Sequence, residues 1–192
     1  MMAFVAFVAT SCQQAPEELN VVAGGDANVT FSVGAPQIAN RAYSDGLTAT
    51  RLQYAVYAVS EANSTKSLSL LSDLKGTETL DELKTSINLQ LTTGNKYAVV
   101  FWADQPDNTH YKVTFDPATV TVDVLDYASA KSNDETRDAF FRSETFTVTD
   151  NTVINIVLKR PFAQLNVGIP EETWNLAEHL GVKFSTSEKS PL

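Results

Sequence analysis

The fold is decided near the N-terminus by a stretch in which polar and apolar side chains alternate, Asn28-Val29-Thr30-Phe31-Ser32-Val33. A period of two residues puts Val29, Phe31 and Val33 on one side of an extended chain, which is typical of a strand with one face in a core. The stretch ends at Gly34-Ala35-Pro36. We therefore predict a half-buried first strand.

Two longer runs further along the chain are apolar on both faces, which predicts central strands. They are Tyr97-Ala98-Val99-Val100-Phe101-Trp102-Ala103 and Leu52 to Val59. Shorter strands are predicted at Ser67 to Leu71, Ile87 to Leu91, Tyr111 to Phe115, Val120 to Val124, Glu144 to Thr149, Val153 to Lys159 and Phe162 to Ile169. Short strands at close spacing, without βαβ alternation, predict an all-β Greek-key sandwich.

Three connections carry local signals. Thr79-Leu80-Asp81-Glu82 has the spacing of a capping box and predicts one helical turn. Another single turn of helix is predicted within Asn133 to Phe141. The dipeptide Asp150-Asn151 predicts a hairpin turn between two of the last strands. Helix is thus expected only in short pieces between strands.

The turns and composition divide the chain into segments. We predict a sandwich domain over residues 21–160 and the truncated start of a second, β-rich C-terminal domain over residues 161–192. In that last segment Pro170 is a good helix start and Gly181 a good helix end. The strand predicted from Val182 to Ser187 has no later partner, which suggests that the second domain is incomplete.

The single cysteine, Cys12, follows an uninterrupted apolar run from Met1 to Ala9. This run is too short to cross ~30 Å of hydrocarbon as a helix, but it fits the apolar region of an export signal. Val8-Ala9-Thr10-Ser11-Cys12 looks like a bacterial lipobox, in which the cysteine thiol receives diacylglycerol. We predict lipidation at Cys12 and a signal and tether over residues 1–20. An ordinary buried cysteine is the alternative, and the missing basic region suggests a late start codon or a fragment.

Charge and composition argue against several functions. The formal net charge is -9, and no cluster of Lys and Arg offsets it, so nucleic acid is not an expected partner. The two histidines, His110 and His179, lack the spacing of a zinc site. Asp104, Asp107 and Asn108 offer oxygen ligands for calcium, but a solvated turn is the simpler interpretation because no bidentate Glu follows at EF-hand spacing.

No motif for catalysis is present in the sequence. A nucleophile elbow, a phosphate-binding loop and a Walker lysine are all missing, and adjacent acidic pairs occur in any acidic protein. We therefore predict a protein that is not an enzyme and needs no cofactor. An aromatic sugar-stacking platform remains open as an alternative to core packing, with Trp102, Tyr97, Tyr111 and Phe101 as its members.

Three stretches add a resemblance to a known family. They are Tyr97-Ala98-Val99-Val100-Phe101-Trp102-Ala103-Asp104, Arg137-Asp138-Ala139-Phe140-Phe141 and Leu158-Lys159-Arg160-Pro161-Phe162-Ala163-Gln164-Leu165-Asn166-Val167. In order and spacing they resemble the fimbrillin-like surface lipoproteins of anaerobic Gram-negative bacteria, the type V pilin subunits. The resemblance, with the lipobox, extends over nearly the whole chain.

The resemblance implies a transthyretin-like sandwich as the N-terminal domain of a fimbrial subunit, anchored in the outer membrane through its lipid. It also implies head-to-tail assembly with other subunits after an arginine-specific protease cuts behind the first strand. The matching position is Arg41, with Arg51 as the alternative. A surface lipoprotein that binds a host glycan or a protein without polymerising is the second reading.

Overall fold

The computed structural model describes residues 25–35, 45–62, 65–126 and 134–161. The chain divides into two compact units, residues 1–161 and 162–192, and every described residue belongs to the first. The strands and the helix expected beyond residue 161 therefore lie outside the described residues.

The described residues form nine strands and one short 3-10 helix, which confirms the all-β fold class. The strands are β1 (Asp26–Gly34), β2 (Arg51–Ala62), β3 (Thr65–Thr79), β4 (Lys84–Thr92), β5 (Lys96–Asp104), β6 (Tyr111–Phe115), β7 (Val120–Val124), β8 (Phe140–Thr147) and β9 (Thr152–Val157). The 3-10 helix is Glu135–Arg137, which confirms the helical turn predicted before β8.

The strands are arranged in three sheets. A three-stranded small sheet has the order β4-β1-β9, a four-stranded large sheet has the order β3-β2-β5-β8, and β6 and β7 form a separate hairpin. Strand β1 runs antiparallel to β4 and parallel to β9. The chain crosses between the small and large sheets after β1, β3, β4 and β8, so the two sheets are built together rather than one after the other.

The main core lies between the small and the large sheet. Phe31 of β1 is fully buried and packs edge-on against Phe101 of β5, with ring centroids 5.6 Å apart. Its ring also meets Phe146 of β8 at 5.5 Å. Inward residues of both sheets, including Leu52, Val56 and Val99, complete this apolar cluster. The alternation seen in the sequence of β1 thus separates a core face from an outer face.

The large sheet is covered on its second face as well, because the β6–β7 hairpin packs there. Ala55, Tyr57 and Ala98 point to this side and contact Phe115 and Val120 of the hairpin. The Tyr57 hydroxyl donates to the Thr119 carbonyl at 3.3 Å, and the Leu70 N–H donates to the Pro117 carbonyl at 2.8 Å. Burial on both faces explains why β2 and β5 read as continuous apolar runs.

The predicted helical turn at Thr79 to Glu82 is wrong. Asp81 and Lys84 instead exchange both backbone hydrogen bonds, at 2.9 and 2.8 Å, in a tight hairpin between β3 and β4. Glu82 and Leu83 at its tip have φ of 45° and 63°, as in a type I′ turn. Leu83 is 1% exposed, so burial of this side chain in the main core outweighs the local capping signal.

Two other predictions need correction. The strand expected at Ser67 to Leu71 is part of β3, which has 15 residues. Asp150-Asn151 does not form a hairpin, because β8 lies in the large sheet and β9 in the small one. The Asn151 side chain instead accepts a hydrogen bond from the Asn28 N–H at 2.7 Å. A turn signal gives the reversal of the chain but not the sheet that the next strand joins.

Candidate functional site: the first strand and the arginines around it

Strand β1 is bonded along both of its edges. Its residues pair with β4 from Asp26 to Gly34 and with β9 from Val29 to Gly34. Next to the strand end, the Ala35 N–H donates to the Leu83 carbonyl at 3.0 Å and the Leu158 N–H to the Gly34 carbonyl at 2.8 Å. Removal of β1 would therefore leave a slot with unpaired backbone groups on two sides.

The inner face of β1 supplies a large share of the main core. Ala27, Val29, Phe31 and Val33 are at most 3% exposed. Burial of the three larger side chains contributes ~5–9 kcal/mol at ~1.5–3 kcal/mol each. A domain has only ~5–15 kcal/mol of net stability, so loss of this burial would remove a large part of the stability unless another apolar strand refilled the slot.

Arg51, one of the two predicted processing positions, is the first residue of β2 rather than part of a loop. Its Nε donates to Asp104 Oδ1 at 2.8 Å, and its Nη1 donates to the Pro106 carbonyl at 2.9 Å. The other position, Arg41, and the lipidation candidate Cys12 lie outside the described residues.

The remaining described arginines are also held by carboxylates. Arg137 binds Asp126, with Nη2 and Oδ2 2.5 Å apart, and Arg142 binds Glu144 at 2.9 Å. Arg160 pairs with the buried Asp138. Within the described parts of the chain, every arginine side chain is thus engaged in an ion pair.

Arg160 holds the end of the described domain in place. Besides its ion pair with Asp138, its guanidinium carbon lies 4.7 Å from the centre of the Phe140 ring. Gly46, at φ 89°, approaches the same ring so closely that a Cβ there would come within 2.7 Å of it. The residues just before the unit boundary are therefore locked onto β8.

The oxygen-rich loop after β5 is filled by protein hydrogen bonds. Asp104 is 1% exposed and accepts from the Arg51 guanidinium, from the Trp102 indole N–H at 3.0 Å and from the Asn108 amide at 2.8 Å. The Asn108 side-chain oxygen accepts from the His110 N–H at 2.6 Å. No cluster of His, Cys, Asp or Glu suited to a metal ion occurs in the described ranges. Asp104 is therefore part of a buried protein hydrogen-bond network rather than of a solvated turn.

The aromatic residues considered as a sugar platform are buried. Trp102 and Tyr111 meet edge-on with ring centroids 5.5 Å apart, but they are only 4% and 8% exposed beneath the hairpin. Tyr97 and Phe101 belong to the main core. These side chains present no open stacking surface.

Sequence reasoning missed a polar cluster at the open end of the hairpin. His110 Nδ1 lies 2.8 Å from Asp126 Oδ2, and His110 Nε2 lies 2.8 Å from Thr136 Oγ1 of the 3-10 helix. Thr136 Oγ1 in turn donates to Asp134 Oδ1. The cluster joins the hairpin to the segment before β8, and no local spacing in the sequence indicates it.

The cluster changes the titration of its carboxylates. The hydrogen bond from His110 is the main cause that lowers the pKa of Asp126, with Arg137 adding to it. The pKa of Asp134 is lowered chiefly by the hydrogen bond from Thr136. Burial raises the pKa of the Tyr111 phenol. These carboxylates therefore bind their partners best in the charged form.

Fold and site together define the class: an all-β sandwich domain in which the first strand is the central strand of its sheet. The chain belongs to a family of unknown function, DUF6562, whose profile matches residues 20–180. No curated protein and no solved structure matches the chain significantly. None of the described residues forms a helix long and apolar enough to cross a membrane.

Proposed function

We propose that this protein is a lipid-anchored structural or adhesive subunit of the bacterial cell surface, which assembles by exchange of its first strand after cleavage at Arg41. The observation that carries the proposal is the position of β1, which is central in the small sheet and buried on its inner face. Arg41 follows this strand and precedes β2 in the chain.

Loss of β1 would create an acceptor for a strand from another subunit. The edges of β4 and β9 that now bond β1 would offer backbone donors and acceptors, and the core residues beneath would form an apolar floor. Addition of an extended segment to such edges is a common mode of recognition. A donor in one subunit and an acceptor in the next form a head-to-tail contact that does not close, so the product is a filament.

The environments of the described arginines disfavour a cut at those positions. A protease needs to take the chain on both sides of the cleaved bond in extended form, which paired strands and buried ion pairs resist. Arg51, Arg142 and Arg160 are part of or adjacent to strands and carry ion pairs. The proposed cut is therefore placed at Arg41, the position that the resemblance to the fimbrillin-like proteins implies.

The lipid anchor belongs to the same proposal. Diacylglycerol on Cys12 would hold the uncut chain at the outer membrane, with the polar stretch behind it as a tether, until cleavage at Arg41 separates the anchor from the domain. The glycan-binding alternative loses its main support, because the Trp102–Tyr111 pair beside the Asp104 loop is buried.

The proposal is tested by digestion of the full chain with an arginine-specific protease. We expect one early cut after Arg41, identified by mass spectrometry, followed by larger species in size-exclusion chromatography. The matched variant Arg41→Lys keeps the charge and should stay uncut and monomeric under the same conditions. A synthetic peptide of residues 25–35 should suppress the larger species by refilling the slot.

Two results would count against strand exchange. One is a product that is cut at Arg41 but keeps β1 bound and remains monomeric at all concentrations. The other is simultaneous cleavage at Arg51, Arg142 and Arg160, which would mean that the domain unfolds before it is processed.

A further inference from the structure

Strand β9 differs from the other strands at the sheet edges. The edge strands β3, β4 and β8 all contain charged residues, as do β6 and β7 of the hairpin. Strand β9, with the sequence Thr152-Val153-Ile154-Asn155-Ile156-Val157, has no charge, no Pro and no Gly. Charges and Pro on an edge strand normally prevent pairing with other chains, so β9 lacks the usual protection.

One side of β9 pairs with β1, and along Thr152–Val157 no described strand pairs with the other side. Just beyond the end of the strand, Lys159 forms a bridge with Phe141 of β8 on that side. Val153 and Val157 are 64% and 59% exposed, the two highest values among the large hydrophobic side chains in the described ranges. Asn155, between them, is exposed as well. The exposed groups therefore form a short apolar stripe with one amide in its centre.

Backbone hydrogen bonds show which groups of β9 face the open edge. The Leu158 N–H bonds to Gly34 of β1, whereas the Lys159 N–H and carbonyl bond to Phe141 of β8 on the other side. Because successive residues of a strand alternate in direction, the N–H and carbonyl groups of Val153, Asn155 and Val157 also point away from β1. These three residues can accept another strand.

We propose that β9 is a self-association surface, at which the β9 strands of two copies pair antiparallel about a two-fold axis through Asn155. This register sets Val153 opposite Val157 of the second copy and Asn155 opposite Asn155 of the second copy. In this register Val153, Asn155 and Val157 each form a hydrogen-bonded pair with a residue of the second copy. Such pairs occur at alternate positions of an antiparallel ladder, which matches the spacing of these three residues. The two small sheets would join into one continuous six-stranded sheet.

The chemistry of the strand favours a second copy as the occupant. In a two-fold contact the residue on the axis faces its own copy and the other residues face each other in exchanged pairs, so a charge at or near the axis would lie close to its own copy. Strand β9 has none, while the valines form apolar cross-strand pairs and the two asparagine amides can hydrogen-bond. The contact does not involve the β1 slot, so it is independent of strand exchange.

A cysteine placed on the two-fold axis gives a register-specific test. In the full chain with Cys12→Ser, the variant Asn155→Cys should form a disulfide-linked dimer under mild oxidation, because paired strands bring the two Cα atoms within disulfide reach. Val153→Cys alone should not cross-link, but a mixture of Val153→Cys and Val157→Cys should. The matched control Ser86→Cys, exposed on β4 of the same sheet, should remain monomeric.

Sedimentation velocity of the unmodified chain supplies the second test. The mass should double with concentration, and it should do so more readily at high salt, because the chains are acidic and the contact contains no ion pair. The double variant Val153→Lys with Val157→Lys should abolish the dimer. Equal charge added by Ser86→Lys and Gln90→Lys should leave it intact. A chain that stays monomeric, or cross-links equally at positions 155 and 86, would overturn the proposal.

Discussion

The small and the large sheet each have a central strand, but their surroundings differ. Strand β1 of the small sheet buries one face and leaves Asn28 and Ser32 exposed on the other. Strand β5 of the large sheet has the β6–β7 hairpin on its second face and buries Trp102 there. The difference does not come from the sheets themselves. It comes from a remote segment, residues 111–124, that adds a third layer to one sheet only.

This comparison predicts two kinds of mutational response. Residues between the sheets belong to the core that both sheets share, so their loss should destabilise the whole domain. Residues between the large sheet and the hairpin should mainly affect the attachment of the hairpin. The largest expected effect therefore lies beneath β1, although this strand is covered on one face only.

Phe31→Ala should have the largest effect. The side chain is fully buried and contacts the rings of Phe101 and Phe146, so truncation should lower the free energy of unfolding by about 3–5 kcal/mol. Urea unfolding followed by circular dichroism measures this loss. The neighbouring Ser32→Ala, on the exposed face, should change the free energy by no more than about 0.5 kcal/mol. Equal effects of the two substitutions would refute the assignment of faces.

Trp102→Phe should have a smaller and more local effect. It removes the indole N–H that donates to Asp104 and part of the contact with Tyr111, at a cost of about 1–2 kcal/mol. Amide hydrogen exchange should become faster in the hairpin than in β1. Val122→Ala, at an exposed hairpin position, serves as the control. Uniformly faster exchange in all three sheets would mean that the hairpin unfolds together with the sandwich.

Acid should produce the smallest effect and should act at the open end of the hairpin. Because the pKa values of Asp126 and Asp134 are lowered in the folded state, their contribution is present above the usual aspartate pKa of ~3.9 and disappears as the pH falls through the folded values. Hydrogen exchange of β6 and β7, relative to β1, should therefore increase at acid pH.

The variant Asp126→Asn should reduce this pH dependence by weakening the contacts with His110 and Arg137. Asp123→Asn, at an exposed position of β7 without an ion pair among the described residues, should leave it unchanged. A pH response that persists in Asp126→Asn would assign the effect to other groups.

Local sequence patterns predict the strands well and their partners poorly. The alternation in β1 and the apolar runs of β2 and β5 follow from the faces that each strand buries. Burial at each position favours an apolar side chain there, so the sequence itself shows the pattern. The parallel pairing of β1 with β9 depends on residues far apart in the chain. The hairpin on the large sheet also depends on distant contacts, such as that of Tyr57 with Thr119.

The candidate site shows the same division. The apolar face of β1 could be predicted from Val29, Phe31 and Val33, but its central place in the sheet could not. The ion pair of Arg51, the alternative processing position, could not be predicted, because its partner Asp104 lies on a strand that the local sequence does not connect to it. The His110 cluster combines residues from three segments, so only the fold brings it together.

The pairing of β1 with β9 also affects how the chain folds. Asn28 and Asn151, which flank this pairing, are separated by 123 positions, so the small sheet is incomplete until nearly the whole domain has been synthesised. Contacts between such distant residues slow folding, because a long loop must close before they form. Under the proposed export of this chain, the delay would keep the domain unfolded during passage through a translocation channel and let it fold after its last strand has emerged.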